Sequence, residues 1–484
     1  MTYEGAPSPE PRVAPAAERE PPLLLALGIL CYLGVLAVMW GSAALPGEDR
    51  PTPVATEGAR AATYLATAAW YAERFSDWPA EIRQAVRPAE HADTAARAWE
   101  TVAAQTPVAA QRARAEANAA ILHSLGGDRR GALVLLDRAG RHDPAMAGAY
   151  GRLRAFYADP ARPAALTPAA EALLEKLPTG PIFRAQAARR AGDIAAARAA
   201  LRPGWEAGLR VLLVEGLVVL LIGGLLLFAL FGYLLWHRRI GAELRAAAAP
   251  APPVPWGIGA ALLVVSGVYL LSFLLQVGLA GFIPRASLAA AAPVVGTLAL
   301  LVATLLVAGG FLSLLGKPAW AWETFGWRRA PRGAGYGLLA LVLALPLLVI
   351  AYLIAAALFG MDRQQQPLVE ALQSGGPLLQ VYLVVVAAVM APLVEETLFR
   401  GLLFRALNAR LAFWPAALIS ALLFAAGHAL LLALLPVMLL GMLFAFLTRR
   451  AGSVVPSAAA HGVYNLVVSV VALLIGWALN GPGQ

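Results

Sequence analysis

The chain has almost no cysteine, almost no lysine and few charges of either sign. One cysteine occurs among its 484 residues, which excludes an intrachain disulfide and a zinc site built from cysteines. Charged residues make up only 14% of the chain, whereas apolar residues make up 60%. Disorder requires the opposite balance, and a soluble globular protein usually carries about 25% charged residues. The composition therefore predicts a polytopic membrane protein.

The net charge of +9 comes almost entirely from arginine, because Lys176 and Lys317 are the only lysines. An arginine- and alanine-rich composition is typical of a GC-rich genome, and cations also anchor the cytosolic ends of membrane helices. We therefore expect no nucleic-acid partner for this chain, and the lipid bilayer is its expected environment.

Nine apolar runs approach the length that a helix needs to cross a bilayer, which is about 20 residues. They lie at 23–43, 211–236, 256–280, 290–315, 335–359, 378–405, 412–430, 434–448 and 457–479. The seventh and eighth runs are short, and Pro436 is expected near the turn between them. The predicted fold class is therefore all-α: a bundle of about nine membrane spans, with a soluble helical domain between the first two.

Cations set the predicted orientation of the spans, because short cytosolic loops are enriched in lysine and arginine. Clusters of cations follow every even-numbered span, at 238–245, 317–332, 405–410 and 449–450. The N-terminus is therefore predicted to be cytosolic and residues 44–208 extracytoplasmic, in the inner (cell) membrane of a bacterium. The first span is expected to be an uncleaved anchor, because the acidic residues before it make a poor start for a signal peptide.

The predicted domains follow from this arrangement of spans. They are a cytosolic tail (1–22), the first span (23–43), an extracytoplasmic helical domain (44–208), spans two to four (209–330) and a motif-bearing membrane domain (331–480).

The extracytoplasmic domain has a repeat-like pattern. Glycine–aspartate pairs at 127–128 and 192–193, followed by alanines at fixed spacing, resemble the tetratricopeptide repeat, whose small residues let paired helices approach closely. Such a solenoid would bind a peptide or protein partner. An unrelated helical bundle remains the alternative.

Three short polar groups stand out in the apolar last 150 residues, where ionisable side chains are costly and tend to be functional. The first is Glu395-Glu396-Thr-Leu-Phe-Arg400, in which Glu396 and Arg400 are four residues apart and can pair on a helix. Glu395 points away from that pair and is therefore a candidate general base. A charged helix end that reaches the membrane surface is the alternative interpretation.

The second and third groups supply histidines. Phe424 and His428 share one helix face in the second group, and His461 and Asn465 share one in the third. An imidazole and an amide at that spacing can converge on one oxygen, which suits an oxyanion site. Helix packing and interhelical hydrogen bonds could explain each group alone, but three such groups within eighty residues indicate chemistry.

The spacings Glu-Glu-x-x-x-Arg, Phe-x-x-x-His and His-x-x-x-Asn, in this order, resemble the motifs of the CPBP family. That family unites CAAX prenyl endopeptidases with bacteriocin-processing enzymes and is also called Abi. The resemblance covers about residues 335–480. It implies an intramembrane endopeptidase, with a water-filled cavity among its helices, that cleaves a peptide or protein substrate.

The resemblance also implies roles for the motif residues. Glu395 and His428 would activate the attacking water, and His461 and Asn465 would hold the oxyanion. The supporting residues would be Glu396, Arg400 and Phe424.

The cofactor and the activity each have an alternative. The family has been described both as metalloproteases and as glutamate proteases, and Glu395, His428 and His461 could in principle hold zinc. We favour chemistry without a metal, because Glu395 could not be both a ligand and a free base.

The main alternative function is a non-catalytic membrane scaffold whose outer helical domain binds proteins. A transporter with a Glu/His proton relay is a third.

Overall fold

A computed structural model describes residues 20–44, 53–76, 79–81, 87–159, 166–247, 254–282, 285–315, 330–359 and 367–480. All regular structure within these ranges is helical, so the prediction of an all-α fold is confirmed. Most of the predicted tail, 1–22, lies outside the described residues. Two compact units divide the chain. The first contains Met1–Ala44, Leu226–Ala355 and Val385–Asn465, and the second contains Leu45–Leu225, Ala356–Val384 and Leu466–Gln484.

The helices are numbered in chain order. They are α1 (Pro22–Ala44), α2 (Pro53–Phe75), α3 (Pro88–Gln105), α4 (Ala109–Leu125), α5 (Arg129–His142), α6 (Ala147–Ala158), α7 (Pro168–Glu175), α8 (Gly180–Arg190), α9 (Ile194–Ala247), α10 (Ile258–Ala280), α11 (Arg285–Thr304), α12 (Gly310–Leu314), α13 (Ala330–Phe359), α14 (Pro367–Ser374), α15 (Pro377–Val385), α16 (Ala391–Glu395), α17 (Arg405–Asn408), α18 (Phe413–Ala426), α19 (Leu431–Ala451) and α20 (Val455–Asn480). Three π-helical segments, Leu305–Gly309, Val386–Met390 and Glu396–Phe404, join neighbouring helices.

Eight of the described helices are long and apolar enough to cross a membrane, judged by length and composition. They run over Pro22–Trp40, Ile194–Glu243, Ile258–Ala280, Val294–Leu314, Gly335–Phe359, Pro377–Asn408, Leu431–Ala451 and Val455–Asn480. The remaining predicted span is the short apolar helix α18. A helix of 14 residues is about 21 Å long, less than the ~30 Å hydrocarbon core. The predicted count of about nine spans is therefore approximately right, and the seventh is shorter than a full span.

The second unit contains helices α2 to α8, in which consecutive helices pack against each other. Gly127 and Gly192 have positive φ angles of 96° and 79°, which end one helix and turn the chain toward the next. Asp128 and Asp193 follow, and each accepts a hydrogen bond of 2.8 Å from the backbone N–H three residues later. Both Gly-Asp pairs thus start helices in the same way, while the assignment as a tetratricopeptide repeat stays a prediction.

The predicted boundary at 208/209 falls inside one continuous helix. Helix α9 is 54 residues long and joins the end of the predicted soluble domain to the predicted second span, 211–236. Pro203 lies within this helix, although proline removes one backbone donor and disfavours a helix interior. The apolar pattern identified where the membrane-compatible part begins, but it could not show that the polar helix continues into it.

In the first unit, α18 and α19 form a packed pair joined by residues 427–430. The expectation that Pro436 lies near the turn between them is wrong by several residues, because α19 begins at Leu431 and Pro436 is inside it. Since two helices joined by so short a connection are antiparallel, Arg410 before α18 and Arg449 near the end of α19 lie at the same end of the pair.

Replacing Gly462 by alanine is expected to lower stability, because α20 approaches the π-helical segment Val386–Met390 closely at this residue. A Cβ at position 462 would lie 2.4 Å from the carbonyl oxygen of Ala388, so backbone would have to move. We expect a loss of about 1–3 kcal/mol in the free energy of unfolding. The matched control is Gly310→Ala, where a Cβ would meet nothing within 4 Å. Equal melting midpoints for the two variants in detergent would contradict the close approach.

Candidate active site

The segment that contains the two glutamates is not a regular α-helix. Glu395 is the last residue of α16, and Glu396 begins the π-helical segment Glu396–Phe404. Single π-turns are frequent at functional sites, since they change which side chains share a face. The sequence predicts α-helical geometry here, because no residue pattern distinguishes the two forms of helix.

Glu396 and Arg400 form the ion pair that their spacing predicts. Arg400 Nη1 donates a hydrogen bond of 3.0 Å to Glu396 Oε1, and both side chains have no exposed surface. A buried charge is costly unless it has a partner of opposite sign. The two residues therefore neutralise each other within the protein interior.

His461 of α20 joins the two glutamates. Its Nδ1 lies 3.1 Å from Glu396 Oε1, and its Nε2 lies 3.8 Å from Glu395 Oε2. The Glu395 side chain is 20% exposed and that of His461 only 6%. Glu395 Oε2 is itself buried and has no hydrogen-bond partner among the described protein groups. Glu396 Oε2 also has no partner among these groups, but the Glu396 side chain has no exposed surface, so Glu395 is the more accessible of the two carboxylates.

Two phenylalanines enclose the charged groups. The guanidinium carbon of Arg400 lies 4.2 Å from the centre of the Phe424 ring and 5.1 Å from that of Phe444. The Phe444 ring also stacks on the His461 ring, with centres 5.0 Å apart. Cations are attracted to aromatic faces, most strongly where water is excluded. The aromatic rings thus help to hold Arg400 and His461 in place.

His428 lies where the seventh apolar segment breaks. Helix α18 ends at Ala426, and Ala429 has a φ angle of 51°, which is unusual for a residue other than glycine. The predicted span 412–430 is therefore wrong in its last residues, because the chain leaves the helix before His428. His428 Nδ1 lies 3.0 Å from the Phe424 carbonyl oxygen, which fixes one edge of the ring.

Phe424 links the second motif, which it shares with His428, to the first and third motifs. Its ring centre lies 4.9 Å from that of His428 and 5.9 Å from that of His461, and both contacts are edge-to-face. Phe424 therefore contacts both imidazoles and Arg400, so the three motifs that are separate in sequence form one cluster in the first unit.

Asn465 lies one helical turn after His461 on α20. Its Nδ2 donates a hydrogen bond of 2.9 Å to the carbonyl oxygen of Ala387, which lies in the π-helical segment Val386–Met390. An amide nitrogen carries a second N–H. One face of the Asn465 amide thus anchors α20 to this segment, and a second hydrogen can serve another acceptor.

Sequence reasoning missed two aromatic residues near the glutamates. Phe444 lies in the apolar helix α19, and Tyr269 lies in α10, packed against the buried core that contains Phe399 and Phe424. Both residues occur in long apolar stretches that contain many similar side chains. Only the packing of the helices shows that these two face the polar cluster.

The described side chains do not form a preformed metal site. No group of three or more histidine, cysteine, aspartate or glutamate residues in the described part of the chain is arranged to hold an ion. His461 Nδ1 faces Glu396, and His428 Nδ1 faces a backbone carbonyl. Zinc requires about four ligands at 2.0–2.3 Å in a tetrahedral arrangement. The trio Glu395, His428 and His461 does not fit that arrangement in this structure.

Comparison with known families identifies the segment that contains this cluster. No curated protein and no solved structure matches the chain. Residues 377–467 match the family model described as "Type II CAAX prenyl endopeptidase Rce1-like", and the matched range includes all seven predicted site residues. The chain therefore contains an Rce1-like CAAX prenyl endopeptidase domain at residues 377–467.

Proposed function

We propose that the protein is an intramembrane endopeptidase that hydrolyses a peptide bond without a metal ion. The observation that supports this proposal best is the buried oxygen Oε2 of Glu395, which has no partner among the described protein groups and lies 3.8 Å from His461 Nε2. A carboxylate in that situation can bind and deprotonate a water molecule. The Rce1-like domain supports a protease at the level of the family.

In the proposed reaction, Glu395 accepts a proton from water while the water oxygen attacks the carbonyl carbon of the substrate. His428 is the second group that orients and activates this water. The carbonyl oxygen becomes an oxyanion, which His461 and Asn465 stabilise with hydrogen bonds. The C–N bond then breaks, and the departing amine takes the proton that Glu395 accepted.

The contacts of His461 constrain its proposed role. If its Nδ1 donates a proton to Glu396 Oε1, then its Nε2 can donate to an oxyanion only in the imidazolium form. In that form, His461 and Arg400 carry two positive charges, and Glu395 and Glu396 carry two negative ones. The cluster is then neutral overall, which is the arrangement that a low-dielectric interior favours.

Treatment with a metal chelator is expected to leave cleavage unchanged. The reason is that the proposed reaction uses Glu395 as a free base and gives no step to a metal ion. The measurement is hydrolysis of a membrane-inserted peptide library by the purified protein in liposomes, with and without 1,10-phenanthroline. Loss of cleavage that added zinc restores would contradict metal-independent catalysis. No cleavage by the native chain under any condition would favour the scaffold instead.

The proposed topology places the N-terminus in the cytosol and residues 44–208 outside a bacterial inner membrane. It rests on the clusters of cations that follow the even-numbered spans. A phosphatase reporter fused after Gly126 is therefore expected to behave as exported, and the same reporter fused after Arg450 as cytosolic. The reverse pair of results would overturn the orientation. In the proposed orientation, the helical region 44–208 faces the outside of the membrane. We propose that it binds a peptide or protein partner there.

A further inference from the structure

We propose that the first helix, α1, is part of the active site and that Tyr32 and Trp40 position His428. This proposal rests on the proposed function, because the activation of water by His428 is part of that function. The apolar pattern of α1 predicts an anchor that precedes the soluble region. Its contacts with the Rce1-like domain indicate a second role.

One face of α1 is made of residues spaced by four. Gly28, Tyr32, Leu36 and Trp40 lie on this face. Tyr32 has 2% of its surface exposed, whereas Leu30 and Leu33, on other faces of the same helix, are 66% and 54% exposed. A lipid anchor alone would not need a buried tyrosine. The pattern therefore indicates a helix with one protein-facing side.

The glycine on that face lets α1 pack closely against α10. A Cβ added at Gly28 would lie 2.6 Å from the carbonyl oxygen of Gly259, and one added at Gly259 would lie 2.4 Å from that of Leu24. Small residues at such a crossing allow membrane helices to touch backbone to backbone. Since α10 in turn packs on the π-helical segment Glu396–Phe404, α1 is fixed to the helices that form the candidate site.

The polar groups of this face reach the end of α18. Tyr32 donates a hydrogen bond of 2.7 Å to the carbonyl oxygen of Leu423, and Trp40 Nε1 donates one of 2.9 Å to that of Ala426. These are the first and last carbonyls of the final turn of α18, which ends at Ala426. The same two carbonyls also accept backbone hydrogen bonds of 3.2 Å, Leu423 from the Gly427 N–H and Ala426 from the Ala429 N–H. Each side-chain donor therefore adds a second hydrogen bond to a carbonyl that also closes the turn around His428, in an apolar environment where such bonds count.

His428 itself depends on the same turn. Its Nδ1 contacts the Phe424 carbonyl oxygen at 3.0 Å, and its backbone N–H donates to the Ala425 carbonyl at 3.1 Å. The carbonyls that Tyr32 and Trp40 bind therefore lie on either side, in sequence, of the two carbonyls that hold His428. Removal of their donors would let the turn open, and the imidazole would leave the position in which it can act on water.

The double variant Tyr32→Phe/Trp40→Phe tests the proposal, because it removes both donors and keeps the rings apolar. We expect amide exchange at residues 427–429 to become about tenfold faster, as loss of two hydrogen bonds allows. We also expect kcat to fall about tenfold with KM unchanged, because only the placement of a catalytic group changes. The matched control is Tyr233→Phe/Trp236→Phe, two exposed aromatic residues of α9, which should alter neither quantity.

The two measurements separate this proposal from the proposed function. Unchanged exchange at 427–429 in the double variant would overturn the role of Tyr32 and Trp40. Faster exchange with an unchanged kcat would overturn the positioning of His428. If the native chain cleaves no peptide, the proposed function fails, and the exchange rates alone then support or overturn the contact between α1 and the His428 turn.

Discussion

Replacing Glu395 by glutamine is expected to lower kcat/KM by about 10²–10⁴-fold while the fold stays intact. The change removes the ability to accept a proton but keeps the size of the side chain. Stability should change little because the contact of Glu395 with His461 Nε2, at 3.8 Å, is longer than a hydrogen bond, and the side chain is 20% exposed, so water can solvate the charge that remains on His461. The measurement is peptide cleavage in liposomes together with thermal unfolding in detergent.

The control for this experiment is Glu243→Gln. Glu243 also lies in the first unit and pairs with Arg450 on an exposed part of the chain. The same chemical change there should leave cleavage and the unfolding midpoint nearly as they are, because exposed ion pairs contribute about 0–1 kcal/mol. If Glu395→Gln cleaves as well as Glu243→Gln, Glu395 is not the base.

Replacing Glu396 by glutamine is expected to lower the free energy of unfolding by about 3–5 kcal/mol, because it leaves a buried charge without its partner. Glu396 Oε1 accepts from Arg400 Nη1 at 3.0 Å and also contacts His461 Nδ1 at 3.1 Å, and the whole side chain is buried. Arg400→Gln should destabilise the protein similarly. Activity should fall in both variants, since His461 loses the group that orients it.

The combination Glu396→Gln/Arg400→Gln should recover part of this stability. Neither charge is then left alone, so the double variant is expected to be more stable than the sum of the two single losses predicts. The measurement is a double-mutant cycle of unfolding midpoints in detergent. If instead Glu395→Gln proves the unstable variant and Glu396→Gln folds normally without activity, the roles of the two glutamates are reversed.

The sequence was sufficient to identify the cluster because ionisable residues are so rare in its apolar half. Glu396 and Arg400 could be paired from their spacing, and that contact is present in the structure. The link between His461 and Glu396 could not be predicted, because 65 residues separate them and only the packing of α20 brings them together. Their catalytic roles stay predictions that the variants above can test.

Other features of the structure could not be predicted from the sequence, for physical reasons. The π-helical segments carry no residue pattern that distinguishes them from the α-helices beside them, so the sequence gives no sign of them. The break at His428 depends on a positive φ at Ala429, a residue that ordinarily favours helix. Donors such as Tyr32 and Trp40 lie in a span whose exposed residues look like those of any membrane anchor.

The contact between Tyr32 and Leu423 can form only after both of the helices that carry these residues have been synthesised. The two residues are 391 positions apart, so a delay separates the synthesis of α1 from that of α18. At about 5–20 residues per second, that delay is about 20–80 seconds. During this time α1 can already pack on α10, but the turn that holds His428 does not yet exist. The candidate site therefore cannot assemble until α20, which carries His461 and Asn465, has also been made.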